Sequence, residues 1–240
     1  MIEIIALALL SLIVNIIVII TGFGTSTLMI PILIFFMPTL TAIFFVSIIE
    51  LIGNIWKYLF FHNQVNWSIA SIFSFTGVIS AILGTFLAFK IQDILLYRLI
   101  GVNILAYVLF LYFNPVFHLK NTTIPAVIGG LLYGFSAGLT GIGGPFRGIA
   151  LLSYELPKAA YIATHGVIAG FTGISRISTY IIYGHQLTPL LWKAVLISIP
   201  FIYIGAKIGQ LISNKISEEI FRKIVLIFLT IISSKLILCP

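Results

Sequence analysis

Two short glycine clusters interrupt the apolar segments of this chain and carry its most distinctive candidate chemistry. The first is Gly22-Phe23-Gly24, and the second is Gly141-Ile142-Gly143-Gly144, directly followed by Pro145. Glycine permits unusual backbone angles and proline has no amide donor, so both clusters predict interrupted helices. A helix that restarts after an interruption presents unpaired N–H groups and the positive end of its dipole, which attract anions. The clusters therefore predict an anion site built on unwound backbone.

Side chains near the clusters could complete such a site. Thr25, Ser26 and Thr164 supply hydroxyl groups, and Lys57 and Arg176, 119 positions apart, supply one cation in each half of the chain. An arginine fork can hold two oxygens of an oxyanion at once and keeps its proton. The predicted substrate-binding residues are Gly22, Phe23, Gly24, Thr25, Ser26, Lys57, Gly141, Gly143, Gly144, Pro145, Thr164 and Arg176.

Three further ionisable residues lie within or beside apolar segments. Arg147 follows the second cluster, and it either contacts the anion or anchors the helix that begins there. Glu50 shares one predicted helix face with Asn54 and Lys57. Glu50 and His165 are able to exchange protons near neutral pH if their surroundings shift them. Proton coupling is thus an open alternative, beside the simpler one that His165 is hydrogen-bonded between helices.

The elements that must position these residues are membrane helices. Of the 240 residues, 60% are hydrophobic and 8% are charged, whereas soluble domains carry about 25% charged residues. A span needs about 20 residues, so the length predicts roughly eight to ten spans in a lipid bilayer. The segments 28–36 and 146–154 are too short to cross and predict half-helices. The formal net charge is +7, but the basic residues occur singly between apolar runs, which argues against nucleic acid as a partner.

The order of a long apolar run, a glycine cluster, a half-helix and three further spans occurs twice. This predicts an all-α integral membrane protein of two homologous repeats, each with about four transmembrane helices, a glycine-broken helix and a half-helix. The first repeat covers residues 1–113, a loop covers 114–123, and the second repeat covers 124–240. Loop charges predict parallel repeats with both termini outside the cytoplasm, and an odd number of crossings per half would instead make the repeats inverted. The charges grouped on the cytoplasmic side are Lys90, Arg98, Lys207, Lys215, Arg222 and Lys223.

The chain resembles the sulfite exporter TauE/SafE family of prokaryotic membrane transporters. The residues that carry the resemblance are Gly22-Phe23-Gly24 with Pro31, Gly138-Leu139-Thr140-Gly141-Ile142-Gly143-Gly144, and Ala163-Thr164. The family usually has a longer glycine run at both clusters, where this chain has Thr25, Ser26 and Pro145. The resemblance implies transport of a small sulfur-containing anion, such as sulfite, thiosulfate or an organosulfonate, across the cytoplasmic membrane. Alternating access around the two broken helices is the transport mechanism expected for a carrier built of repeats.

Other functions are open alternatives at this point. A non-coupled anion channel would use the same helix ends and cations. The string Gly134-Phe135-Ser136-Ala137-Gly138 matches the G-x-S-x-G pattern of serine hydrolases, with Ser136 as nucleophile and His165 or His185 as base. The four histidines lack metal-ligand spacing and the chain has one cysteine, so we expect no metal and no cofactor. A homodimer is left open.

Overall fold

A computed structural model of the chain describes residues 1–21, 23–113, 123–212 and 218–238, and the regular structure of this part is helical. The helices are α1 (Ile2–Thr21), α2 (Thr25–Leu33), α3 (Thr39–Phe61), α4 (Trp67–Ala88), α5 (Asp93–Phe113), α6 (Thr123–Thr140), α7 (Gly144–Leu152), α8 (Lys158–Ile182), α9 (Pro189–Ile212) and α10 (Glu218–Leu238). A single 3-10 turn follows α3 at His62–Gln64. The all-α prediction is confirmed.

Six helices in the described part of the chain are long and apolar enough to cross a membrane: α1, α3, α4, α5, α6 and α9. Large apolar side chains project from them, such as Phe75, which is 70% exposed, and Leu83, which is 59% exposed. Exposed apolar surface of this extent is compatible with hydrocarbon and not with water. The chain is a multi-pass membrane protein.

The half-helices α2 and α7 have nine residues each and follow the two glycine clusters as expected. A threonine ends the preceding helix in both halves. The hydroxyl of Thr21 donates to Ile17 O at 2.9 Å and accepts from Phe23 N at 3.4 Å. The hydroxyl of Thr140 likewise donates to a carbonyl four residues back and accepts from Ile142 N at 3.2 Å. The side chain thus takes up an amide that the helix no longer pairs.

Glycine is required in each interruption because the backbone enters the left-handed region there. The φ angle is +91° at Gly24 and +77° at Gly141. At Gly141 a side chain would also lack space, since an added Cβ would lie 2.3 Å from Ile30 Cδ1. The local sequence therefore dictates both where α1 and α6 stop and that the chain can turn into α2 and α7.

Close helix packing joins the two halves. The helix α6 lies along α4, where a Cβ added at Gly138 would be 2.2 Å from Ala81 O. In the same way α9 lies along α1, where a Cβ added at Gly205 would be 2.6 Å from Leu12 O. The first helix of each half thus packs against the fourth helix of the other half, and small residues permit this approach.

The helices α3 and α8 form the centre of the molecule and run in opposite directions. Arg176 bonds to Ser47 near the beginning of α3, whereas a Cβ added at Gly166 would be 3.3 Å from Lys57 Cβ near its end. Corresponding helices of parallel repeats would run in the same direction, so this contact order is that of inverted repeats. The prediction of parallel repeats is corrected accordingly.

The inverted arrangement also changes the grouping of loop charges. Short connections join α3 to α4 and α8 to α9, so α4 and α9 run in opposite directions as well. Lys90, after α4, and Lys207, near the end of α9, consequently lie toward opposite sides of the membrane. The loop-charge argument that placed them on one side, and with it the predicted orientation of the termini, does not hold for this fold.

Candidate functional site

The first turns of the two half-helices meet inside the helix bundle. A Cβ added at Gly24, before α2, would lie 3.7 Å from Arg147 Nη2. A Cβ added at Gly144, at the start of α7, would lie 3.2 Å from Thr27 Oγ1. The two turns therefore lie against each other in opposite directions, and they bring the glycine clusters together as the sequence predicts.

Neither half-helix is capped by a side chain at its N-terminus. The N-cap residues are Gly24 for α2 and Gly143 for α7, and neither provides a side-chain acceptor for the first amides. Thr25 is 1% exposed, and its hydroxyl has no hydrogen-bond partner. Ser26 beside it is buried too. Unpaired donors at a buried helix start form a place where an anion is stabilised.

Arg147 is the cation closest to these helix starts. Its side chain is almost completely buried, with 1% of its surface exposed, and Nη1 donates to Tyr133 Oη at 2.7 Å. Its Nε has no partner, and no carboxylate of the described residues lies within salt-bridge distance of the guanidinium. A buried guanidinium beside the positive end of a helix is unfavourable unless an anion joins them.

Arg176 has a different environment from the one predicted for it. Its Nη1 donates to Ala137 O and Gly141 O, both at 3.0 Å, and its Nη2 donates to Ser47 Oγ at 2.7 Å. Glu50 Oε2 lies 3.4 Å from Nη2 and neutralises the charge. Arg176 therefore holds the C-terminal end of α6 and pairs with Glu50, although its Nε, like that of Arg147, has no hydrogen-bond partner.

Lys57 lines a small cavity of about 30 Å³, named here the inner cavity. Its Nζ donates to Asn54 Oδ1 at 3.1 Å, whereas Glu50, on the same helix, pairs with Arg176. The other residues that line this inner cavity are Val18, Ile19, Tyr161, Ile162 and His165. The cavity lies beside the end of α1, in the position that corresponds to Arg176 at the end of α6.

His165 faces the same inner cavity. Its ring stacks on Tyr161 with 5.9 Å between ring centroids, and its Nε2 has no hydrogen-bond partner. Arg147 and Lys57 are both close enough for their charges to act on this ring. An added Cβ at Gly148, next to Arg147, would be 3.5 Å from Tyr161 Oη. Tyr161 thus connects the lining of the inner cavity with the half-helix α7.

Two hydroxyl groups considered from the sequence, those of Thr164 and Ser136, form hydrogen bonds with backbone groups. Thr164 Oγ1 accepts from Asn66 N at 3.0 Å, at the start of α4. Ser136 Oγ donates to Ile142 O and accepts from Asn103 Nδ2. Asn103 also donates to Thr140 Oγ1 at 3.1 Å. This network satisfies the unwound backbone after α6, so it accounts for Ser136 without a catalytic role.

The structure thus brings together Phe23, Gly24, Thr25 and Ser26 with Gly143, Gly144 and Pro145, whereas Gly22 lies outside the described residues. The sequence left two roles open for Arg147, contact with the anion or anchoring of the helix that begins there. Its counterpart 119 positions earlier is Leu28, so it has no partner by repetition. Among the residues that the structure describes, no group of three or more His, Cys, Asp or Glu is placed to hold a metal ion.

Comparison with known proteins gives one finding. A family model described as "Sulfite exporter TauE/SafE" matches residues 7–236 of the 240-residue chain. No curated protein and no solved structure matches. The match extends over both halves of the helix bundle, including both interruptions, and confirms the family resemblance seen in the sequence.

Proposed function

The chain belongs to the sulfite exporter TauE/SafE family, and from this premise we propose that it is a secondary transporter of a small sulfur-containing oxyanion. The substrate class is sulfite, thiosulfate or an organosulfonate, and the place of action is the cytoplasmic membrane of a prokaryote. The family describes membrane transporters, so the class of function rests on the match. The substrate and the mechanism rest on the site.

The observation that carries the proposal is the position of Arg147 against the start of α2. Its Nη2 lies next to Gly24, and the hydroxyl of Thr25 beside it is buried without a partner. The guanidinium of Arg147 and the start of α2 are both positive and lie next to each other, and no carboxylate of the described residues is within salt-bridge distance of Arg147. An oxyanion fits both, because its oxygens accept from a guanidinium fork and from helix N–H groups at the same time.

Arg147 therefore takes the role that the sequence assigned to Arg176. Arg176 and Glu50 form the support of the site, since they hold α6 in place where it ends. Lys57 is the second cation available to the substrate, because its described hydrogen bond goes to the neutral side chain of Asn54. The oxyanion would move between the half-helix starts and the inner cavity, with one cation at each.

The size of the inner cavity favours a carrier over a channel. Its volume of about 30 Å³ gives room for about two water molecules, since one water needs roughly 10–15 Å³ of such volume. An oxyanion of four or more heavy atoms enters only when the packing around the cavity changes. Movement of one inverted repeat against the other would open it to each side in turn. A continuously open pore, the alternative from sequence, gains no support from an inner cavity of this size.

Flux into liposomes containing the purified protein tests the site. Arg147→Gln removes the charge and is expected to abolish uptake of labelled sulfite, while Arg147→Lys keeps the charge without the fork and retains a part of it. Lys90→Gln is the matched control, because this exposed cation contacts the ring of Phe86, 4.1 Å from its centroid, far from the site. Full uptake by Arg147→Gln would remove Arg147 from the site.

Counterflow distinguishes the carrier from the channel. Liposomes preloaded with unlabelled sulfite should accumulate labelled sulfite transiently if one site faces the two sides in turn. A channel only dissipates the gradient and shows no such overshoot. Sulfate and chloride added outside should compete weakly with sulfite if the substrate is a sulfur anion of lower oxidation state, and equal competition by all anions would count against the proposed substrate class.

A further inference from the structure

A second cavity of about 370 Å³ opens at one end of the bundle, between α4, α6 and the connection from α7 to α8. Both α4 and α6 begin there, since the two helices run in the same direction. Its polar lining consists of Asn66, Ser68, Thr123 and Tyr154, and the remaining lining is apolar. This outer cavity is more than ten times the volume of the inner one, and among the residues that the structure describes no acidic side chain lines it.

The linings of the two cavities are connected where α4 begins beside α8. Asn66 lines the outer cavity, and its backbone N–H donates to Thr164 Oγ1 at 3.0 Å. The next residue along α8, His165, lines the inner cavity with its unpartnered Nε2. A single hydrogen bond between the start of α4 and one turn of α8 thus connects the linings of both spaces.

We propose that the outer cavity is the vestibule through which the oxyanion reaches the inner cavity, and that the contact between Asn66 and Thr164 is the partition that must open. This inference rests on the proposed transport function. Neutral hydroxyl donors such as Ser68 and Thr123 guide an anion without holding it strongly, whereas acidic side chains would repel it. The partition also gives a role to Thr164, whose hydroxyl forms this contact with Asn66.

Modification of Ser68→Cys tests the vestibule. The single native cysteine is removed by Cys239→Ser, and the protein is labelled in detergent with a bulky, negatively charged maleimide before incorporation into liposomes. A maleimide is chosen because sulfite does not cleave the thioether that it forms. Ser71→Cys is the matched control, since Ser71 lies one turn further along α4 and is exposed without lining the cavity.

We expect labelled Ser68→Cys to lose most of its sulfite uptake, and labelled Ser71→Cys to keep it. Thr123→Cys places the same label on the opposite wall and should give the same loss. Complete labelling, verified by mass spectrometry, with full uptake in both vestibule variants would overturn the proposal. In that case the cavity lies off the transport path, for instance as a binding place for a lipid headgroup.

The design separates this inference from the function on which it rests. The sulfite uptake of unlabelled Ser68→Cys is measured first and serves as the reference for the labelled protein. If the parent itself transports no sulfur anion, the proposed function fails before any label is added. If the parent transports and only the effect of the label is absent, the function stands and the vestibule is rejected.

Discussion

The guanidinium of Arg176 lies 3.4 Å from the carboxylate of Glu50, and the two side chains are 3% and 10% exposed. The same guanidinium donates hydrogen bonds to the carbonyl oxygens of Ala137 and Gly141, where α6 ends. The ion pair therefore ties α3, α6 and α8 together. Its energetic role follows from burial, since a buried charge that loses its partner is costly.

Arg176→Gln is expected to destabilise the fold, not merely substrate binding. Loss of one member of a buried pair costs on the order of 3–5 kcal/mol, and here two helix-end carbonyls also lose their donor. Thermal unfolding in detergent measures the effect. Glu50→Gln should be destabilising as well, and the double variant should cost less than the two single changes added together. A melting temperature unchanged by Arg176→Gln would contradict this role.

Gly141→Ala is expected to impair folding more than Gly24→Ala does. Both positions have positive φ, which costs a residue with a side chain roughly 1–2 kcal/mol. At Gly24 the added Cβ has ordinary contacts, whereas at Gly141 it would lie 2.3 Å from Ile30 Cδ1. Melting temperatures of the two variants give the comparison.

Ile30→Val separates steric overlap from backbone strain at Gly141. The substitution removes the Cδ1 atom that overlaps the added methyl group. In the Gly141→Ala background it should recover part of the lost stability, while alone it should cost about 0.5–1.5 kcal/mol as a buried deletion. If it recovers nothing, the overlap is relieved in another way and the φ angle alone explains the loss.

The interruptions of the helices could be predicted from sequence because their cause is local. Glycine and proline act through backbone angles and a missing donor, and both restarts fall where the clusters end. The apolar runs 28–36 and 146–154 begin after the first residues of α2 and α7, which are Thr25 and Gly144. An apolar run marks only the segment that hydrocarbon requires, whereas the helix begins at the polar or small residues before it.

The roles of the cations could not be predicted because they depend on how the halves are oriented. A shift of 119 positions correctly matches Lys57 with Arg176 by repetition, and parallel repeats would place them around a common axis. In the inverted arrangement Arg176 contacts α3 at Ser47, ten residues before Lys57, which is about 15 Å along a helix. Arg147 has no cationic counterpart in the first repeat, so the repetition of the sequence did not indicate it as a site residue.

Gly134→Ala is expected to disrupt the contact between α4 and α6. An added Cβ would lie 2.0 Å from Gly77 O, and a backbone atom within a helix cannot move aside. Gly170→Ala is the control in α8, because no atom lies within 4 Å of a Cβ added there. It should be neutral or slightly stabilising, since alanine favours a helix by about 1 kcal/mol over glycine. Yield of folded protein and melting temperature test both, and equal behaviour would contradict the close packing.

His185 is expected to make stability depend on pH. It lies in the connection between α8 and α9, where Nε2 is 3.4 Å from Thr41 Oγ1 and the ring edges contact Phe44 and Tyr180. Burial lowers the pKa of this imidazole below its ordinary value of 6.5. The unfolded chain therefore binds a proton at a higher pH than the folded protein, so stability is fully present above pH 6.5 and decreases as the pH falls toward the folded pKa.

The measurement is the melting temperature of the wild type and of His185→Gln between about pH 7 and pH 5. Glutamine keeps a polar group near Thr41 and does not titrate, so the variant should lose less stability than the wild type as the pH falls. His62→Gln is the control, because His62 is exposed at the end of α3. Parallel curves for the wild type and His185→Gln would show that the neutral ring contributes nothing, and that the aromatic cluster at this end of the bundle tolerates a charged imidazole.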